Sequence, residues 1–148
     1  MSIPALTSDG LLPEGVHDCT LDEIRERFGQ FQRSDRRCRL FDRLEAYVRD
    51  AQRSGVVKAI IVDGSFVTDK DVPSDIDLVV VAPPPGILPA TLRPAEYNVL
   101  SKRHVRRQFG MDMLLAQEGQ TEVAEHVEFF SQVREHPELR KGMLRLAL

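Results

Sequence analysis

Two apolar runs stand in the middle of the chain, and amphipathic stretches surround them. Val56 to Val62 is largely β-branched apart from Lys58 and Ala59, and Gly55 and Gly64 bound it, which reads as a strand. Asp77 to Ala82, DLVVVA, is apolar on both faces after its first residue, as a central strand must be. Upstream, Thr20-Leu21-Asp22-Glu23 is a capping box that predicts a helix from Leu21 to near Gly29. Ser34 is placed to cap a longer helix ending before Gly55. On it Phe41, Leu44, Val48 and Ala51 recur at helical spacing, with Leu40 and Tyr47 broadening the stripe. Arg36, Arg39, Arg43, Asp50 and Arg53 form its solvated face.

Downstream, PPPG (Pro83 to Gly86) ends the second run and opens a loop that Pro89 and Pro94 keep irregular. A helix is predicted from Ala95 to about Arg106 and a strand from Phe109 to Leu115. A further helix spans Glu122 to Arg134, with Val123, Val127, Phe130 and Val133 on one face and Pro137 after its end. KGMLRLAL alternates around Arg145 and predicts a last strand. Residues 1–18 read as an irregular lead-in, broken by Pro4, Gly10, Pro13 and Gly15, and residues 19–148 as a single domain. Helices and strands interleave, so the fold class is α/β (α+β), a small mixed sheet flanked by helices.

Composition narrows the function classes. With 148 residues, 42% hydrophobic and 29% charged, the chain has the make-up of one globular domain with one core. A formal charge of −3 argues against a general nucleic-acid binder. No apolar run approaches a membrane span, and the first residues lack the basic flank and apolar stretch of a secretory signal. Cys19 and Cys38 fit no CxxC or Cys/His spacing and read as reduced thiols. A cytoplasmic protein without a membrane partner is expected.

The chemistry concentrates in IIVDGSFVTDKDVPSDIDLVVV, Ile60 to Val81. Strand side chains alternate, so Asp75 and Asp77 point the same way and can share a divalent cation. Gly64 lets backbone approach a ligand closely, and Ser65 offers an amide and a hydroxyl to phosphate oxygens. Taken alone, Gly64-Ser65 is also a tight turn capped by serine, and DxD is also a turn ending a loop. Together, a metal pair and phosphate donors suit in-line displacement at phosphorus. Asp112 in QFGMDMLL is the lone acid of its strand and faces away from the layer of Met111 and Met113.

These residues resemble the DNA polymerase β-like nucleotidyltransferase superfamily, whose signature is hG[GS], a spacer, then Dh[DE]h, with h apolar. Gly64-Ser65, the nine residues Phe66 to Ser74, and Asp75-Ile76-Asp77-Leu78 match it. Asp63 departs from it, standing where the signature has an apolar residue. The resemblance implies a nucleotidyltransferase-like fold, with Asp75, Asp77 and Asp112 as catalytic ligands of two Mg2+ ions. It implies that Gly64 and Ser65 hold the triphosphate of ATP or another NTP. LPEGVHDCTLDEIRERFG and DGSFVTDKDVPSDIDLVVV are similar to a group of small prokaryotic proteins with such a domain. Larger relatives continue into a helical domain, whereas one helix and a tail follow Asp112 here. That resembles the minimal nucleotidyltransferases of toxin–antitoxin pairs, which implies transfer of a nucleotide, AMP foremost, to a partner protein or to RNA. The superfamily's inactive members imply the alternative of a partner-binding module without catalysis.

Three features stay open on the sequence. KRHVRR, Lys102 to Arg107, is either a solvated helix face or, beside the site, a phosphate or RNA contact. His17, His104, His126 and His136 form no ligand spacing. Phe129-Phe130 and the apolar tail are either core or an exposed partner patch.

Overall fold

The computed structural model describes residues 3–88 and 90–148. Met1, Ser2 and Pro89 lie outside the described residues, and with them the start of the expected lead-in and one of the loop prolines. The elements in order are β1 (Val16–Asp18), α1 (Leu21–Phe28), α2 (Arg36–Ser54), β2 (Ala59–Asp63), β3 (Asp77–Ala82), α3 (Pro94–Leu100), α4 (Lys102–Phe109), β4 (Asp112–Gln117), α5 (Glu122–Ser131) and β5 (Met143–Ala147). The strands form one sheet in the order β1-β5-β2-β3-β4. β1 with β5 and β3 with β4 run parallel, while β2 is antiparallel to both of its neighbours. The class is therefore the expected one, a mixed sheet with helices on its faces.

DLVVVA is an interior strand, and all of it but Asp77 is buried, in keeping with its two-sided apolar pattern. The capping box of α1 is present: Thr20 Oγ1 accepts from the Glu23 amide, and Glu23 accepts from the Thr20 amide. The N-cap of α2 is Asp35 rather than the expected Ser34, and Ser34 Oγ accepts from the Arg36 amide one position outside it.

Several boundaries differ from expectation, each for a local reason. The lead-in is not irregular throughout, because Val16–Asp18 adds a parallel edge strand to β5. The helix expected from Ala95 to Arg106 breaks at Ser101, whose backbone is extended (ψ 114°) and whose hydroxyl caps α4 through the His104 amide. Phe109 belongs to α4 rather than to a strand. Its ring packs edge-on against Tyr47 at 5.4 Å, and Gly110 at φ +68° ends the helix, so β4 starts only at Asp112. Similarly, β2 starts at Ala59 instead of Val56, and α5 stops at Ser131 instead of Arg134.

Strand alternation divides the core in two. Ile60, Val62, Leu78 and Val80 point to the layer of α1 to α4 and meet Leu40, Phe41, Leu44 and Tyr47 there. Ile61, Val79, Ala116 and Met143 point the other way, under Val123, Val127 and Phe130 of α5. That second layer is thin, since Ser131 is the buried residue of α5. The tail is core after all: β5 lies inside the sheet with Met143, Leu144 and Leu146 buried. Among the described residues, no helix is long and apolar enough to cross a membrane.

Candidate functional site

The site lies where β2 ends and β3 begins, on the sheet face that α5 only partly covers. Gly64 makes the connection possible. It adopts φ +96°, and a Cβ there would meet the Asp75 carbonyl oxygen at 2.9 Å and the Asp77 amide at 3.0 Å. Glycine alone meets both demands, conformational and steric. Gly64→Ala is expected to cost about 2–4 kcal/mol, from strain and overpacking together. Urea unfolding measures it, and a midpoint equal to the parent's would contradict this close approach.

Ser65 starts a single 3₁₀ turn, Ser65–Val67. Its amide and hydroxyl both donate to Asp75 Oδ1, at 3.0 and 2.9 Å, while its Oγ accepts from the Ser74 and Asp75 amides at 2.9 and 3.2 Å. The turn thus already grips a carboxylate with the two donors expected for phosphate. It is an anion cradle, and in this structure Asp75 occupies it.

Two arginines at the start of α2 hold the connecting loop. Arg37 is 3% exposed and donates to the carbonyls of Phe28, Phe66, Thr68 and Lys70 at 3.3, 2.7, 2.7 and 2.6 Å. Its guanidinium lies 5.9 Å from the ring centres of both Phe28 and Phe66. Arg36 donates to the carbonyls of Pro73 and Ser74 at 2.9 and 2.6 Å. Arg36 is therefore not simply part of a solvated face. It pins the far end of the loop while Arg37 pins the near end.

The carboxylates form a row. Asp63 pairs in register with Asp77 across the antiparallel β2–β3 ladder, and Asp77 with Asp112 across the parallel β3–β4 ladder. Residues opposite one another share a sheet face, so three acids line up on adjacent strands. Like charges placed opposite one another are destabilising. The titration behaviour reflects this. Asp77 is pushed up to about 6 by burial first, then by Asp75, Asp63 and Asp112, with Lys141 opposing. Asp63, 1% exposed, is also pushed up, mainly by burial, against the pull of Lys141. Its two oxygens are buried without a well-formed hydrogen bond, and the Gly64 amide and Lys141 Nζ, the latter at 3.4 Å, stand near enough to favour its charged form. Asp112 pairs with Arg106.

These residues open on a cleft of about 780 Å³. Gly64, Ser65, Asp75 and Asp77 line it together, as their spacing predicts. Asp112 stands in the acid row but not in the cleft lining, and neither does any residue of the basic cluster Lys102 to Arg107. The cations of the cleft are Lys70, Arg134 and Lys141 instead. Lys141 and Arg37 were not legible as site residues by motif. An arginine within the apolar stripe of α2, one turn before Phe41 and two before Leu44, was the available signal for Arg37. Lys141 comes to the site through the pairing of β5 with β2 and through its amide, which donates to the Ser131 carbonyl.

Among the described residues, no three carboxylate, imidazole or thiol groups converge tightly enough to form a ready-made metal site. The reason is local, because Asp75 is turned onto Ser65 and Asp112 onto Arg106. The acids themselves fit a divalent cation nonetheless. Asp63 is buried without a well-formed hydrogen bond, and Asp77 bears repulsion that Lys141 only partly offsets, both of which a cation would relieve.

A family model matches residues 4–147, so the chain belongs to that family, DUF6932, a family of unknown function. No curated protein and no solved structure gives a significant match.

Proposed function

We propose that this protein is a minimal metal-dependent nucleotidyltransferase with a nucleotidyltransferase-like fold, transferring AMP from ATP to a hydroxyl of a partner protein. The observation that carries the proposal is the acid row ending in a buried Asp63 that lacks a well-formed hydrogen bond, beside a glycine–serine turn that already holds a carboxylate. Asp77 and Asp63 would hold the cation, and Asp75 and Asp112 would join once released from Ser65 and Arg106. Mg2+ would supply charge neutralisation at the phosphates. Displacement of Asp75 from the Ser65 donors would free an amide and a hydroxyl for the terminal phosphates. Lys70 and Lys141 line the same cleft and would balance the triphosphate's remaining charge. The acceptor oxygen bonds to the α-phosphorus, the bond to pyrophosphate breaks, and the acceptor's proton is lost to base. A protein acceptor is preferred to RNA because the basic cluster 102–107 does not line the cleft. A partner of the toxin–antitoxin or defence type, in the cytoplasm, follows from the resemblance alone.

A second reading has its own support. The cradle is filled by Asp75, and among the described residues no three ligands converge, as suits a partner-binding module without catalysis. Labelling separates the two. Incubated with Mg2+ and total protein from the source cells, the parent is expected to transfer label from α-labelled ATP beyond what the same proteins incorporate without it. Label appearing equally with EDTA present, or none in the parent, would refute transfer.

A further inference from the structure

We propose that Phe129 is the stacking platform for the nucleobase of the bound triphosphate, making the α5 end of the cleft a base-binding subsite. The proposal rests on the nucleotide-binding reading above. The cleft lining combines two chemistries. Asp63, Asp75, Asp77 and the Gly64-Ser65 turn are polar, whereas Phe129, Phe130 and Val133 are apolar. Its volume of about 780 Å³ falls within the range of small-molecule sites. Val123, Val127 and Phe130 of α5 pack onto the second core, whereas Phe129 is 64% exposed and lines the cleft. The two rings are 5.4 Å apart and tilted by 58°, so Phe130 ties the exposed ring to the core.

An exposed phenyl ring on an outer surface would suit any apolar partner. Here the ring shares one cleft with an anion cradle, three acids and the side chains of Lys70 and Lys141. A ligand that satisfies both sets of residues needs a polyphosphate and a flat apolar ring, and a nucleoside triphosphate has both. Stacking on a phenyl ring accepts any base, so this subsite supplies affinity and orientation, with little choice among bases.

The sequence contains no tryptophan, so Phe129→Trp places the protein's single indole at the proposed contact. The side chain it replaces is exposed, and unchanged far-UV circular dichroism is expected. ATP with Mg2+ should quench the new emission, while inorganic tripolyphosphate with Mg2+ should leave it unchanged. Phe129→Ala should bind ATP on the order of tenfold more weakly in calorimetry, with its tripolyphosphate affinity unaltered. If the parent binds ATP but the indole is silent and Phe129→Ala binds equally well, base stacking is refuted and the nucleotide reading stands. Equal quenching by tripolyphosphate also refutes stacking. If the parent binds neither compound, both proposals fall.

Discussion

Asp77→Asn is expected to lose the proposed nucleotidyl transfer by on the order of a thousandfold or more while making the protein more stable at neutral pH. The two effects share one cause. In the fold the Asp77 carboxyl is pushed from its ordinary 3.8 to about 6, by burial and by Asp75, Asp63 and Asp112. Between those values the folded protein holds a proton that the unfolded chain has released. Stability therefore falls as pH rises through this window, and the loss is complete above it. Asparagine cannot ionise and escapes the loss. Asp77 keeps partial contact with solvent, so the discounted gain at pH 7 is about 1–2 kcal/mol, or about 3–6 °C in melting temperature. Near pH 3.5 the gain should vanish. Thermal melts of both proteins across pH test this, and parallel curves at all pH values would contradict the repulsion in the acid row. A residue that lowers stability where it sits needs another reason to be there, and a cation is the one offered by its neighbours.

Arg37→Ala is expected to be strongly destabilising, at about 3–5 kcal/mol. The guanidinium is buried and bonds to the carbonyls of Phe28, Phe66, Thr68 and Lys70, which join α1 to the loop after Gly64. No carboxylate ion-pairs with it among the described residues. Burial lowers its pKa, and Asp69 and Asp71 favour the charged form from a distance. Alanine would strand these acceptors in the interior and open a void against Phe28 and Phe66. Arg37→Lys should recover little, because one ammonium cannot reproduce a planar fork that reaches several carbonyls. Urea unfolding of both variants is the measurement. A loss under about 1 kcal/mol for alanine would mean that the loop holds itself.

Much of this site was legible before the fold was known, and the remainder was hidden for definable reasons. DLVVVA declared itself because it is buried on both faces, and the capping box fixed the start of α1. The edge strand Val16–Asp18 could not be read, since three residues with a histidine in the middle carry no period. The break at Ser101 was concealed because Val99, Val105 and Phe109 keep an apolar face across it. Spacing alone brought Gly64, Ser65, Asp75 and Asp77 to one place. It could not show that Asp75 would turn onto Ser65, a choice made by the loop that Arg36 and Arg37 hold. Nor could it show that Asp63, the departure from the signature, stands in register with Asp77. That register requires β2 and β3 to be antiparallel, which is a tertiary fact.

The most direct test of the cleft as a metal–nucleotide site is calorimetry of the parent with ATP, in Mg2+ and again in EDTA. Binding that is saturable in Mg2+, lost in EDTA and lost in Asp77→Asn is the predicted result. Absence of any heat of binding in Mg2+, or equal binding by Asp77→Asn, would contradict it.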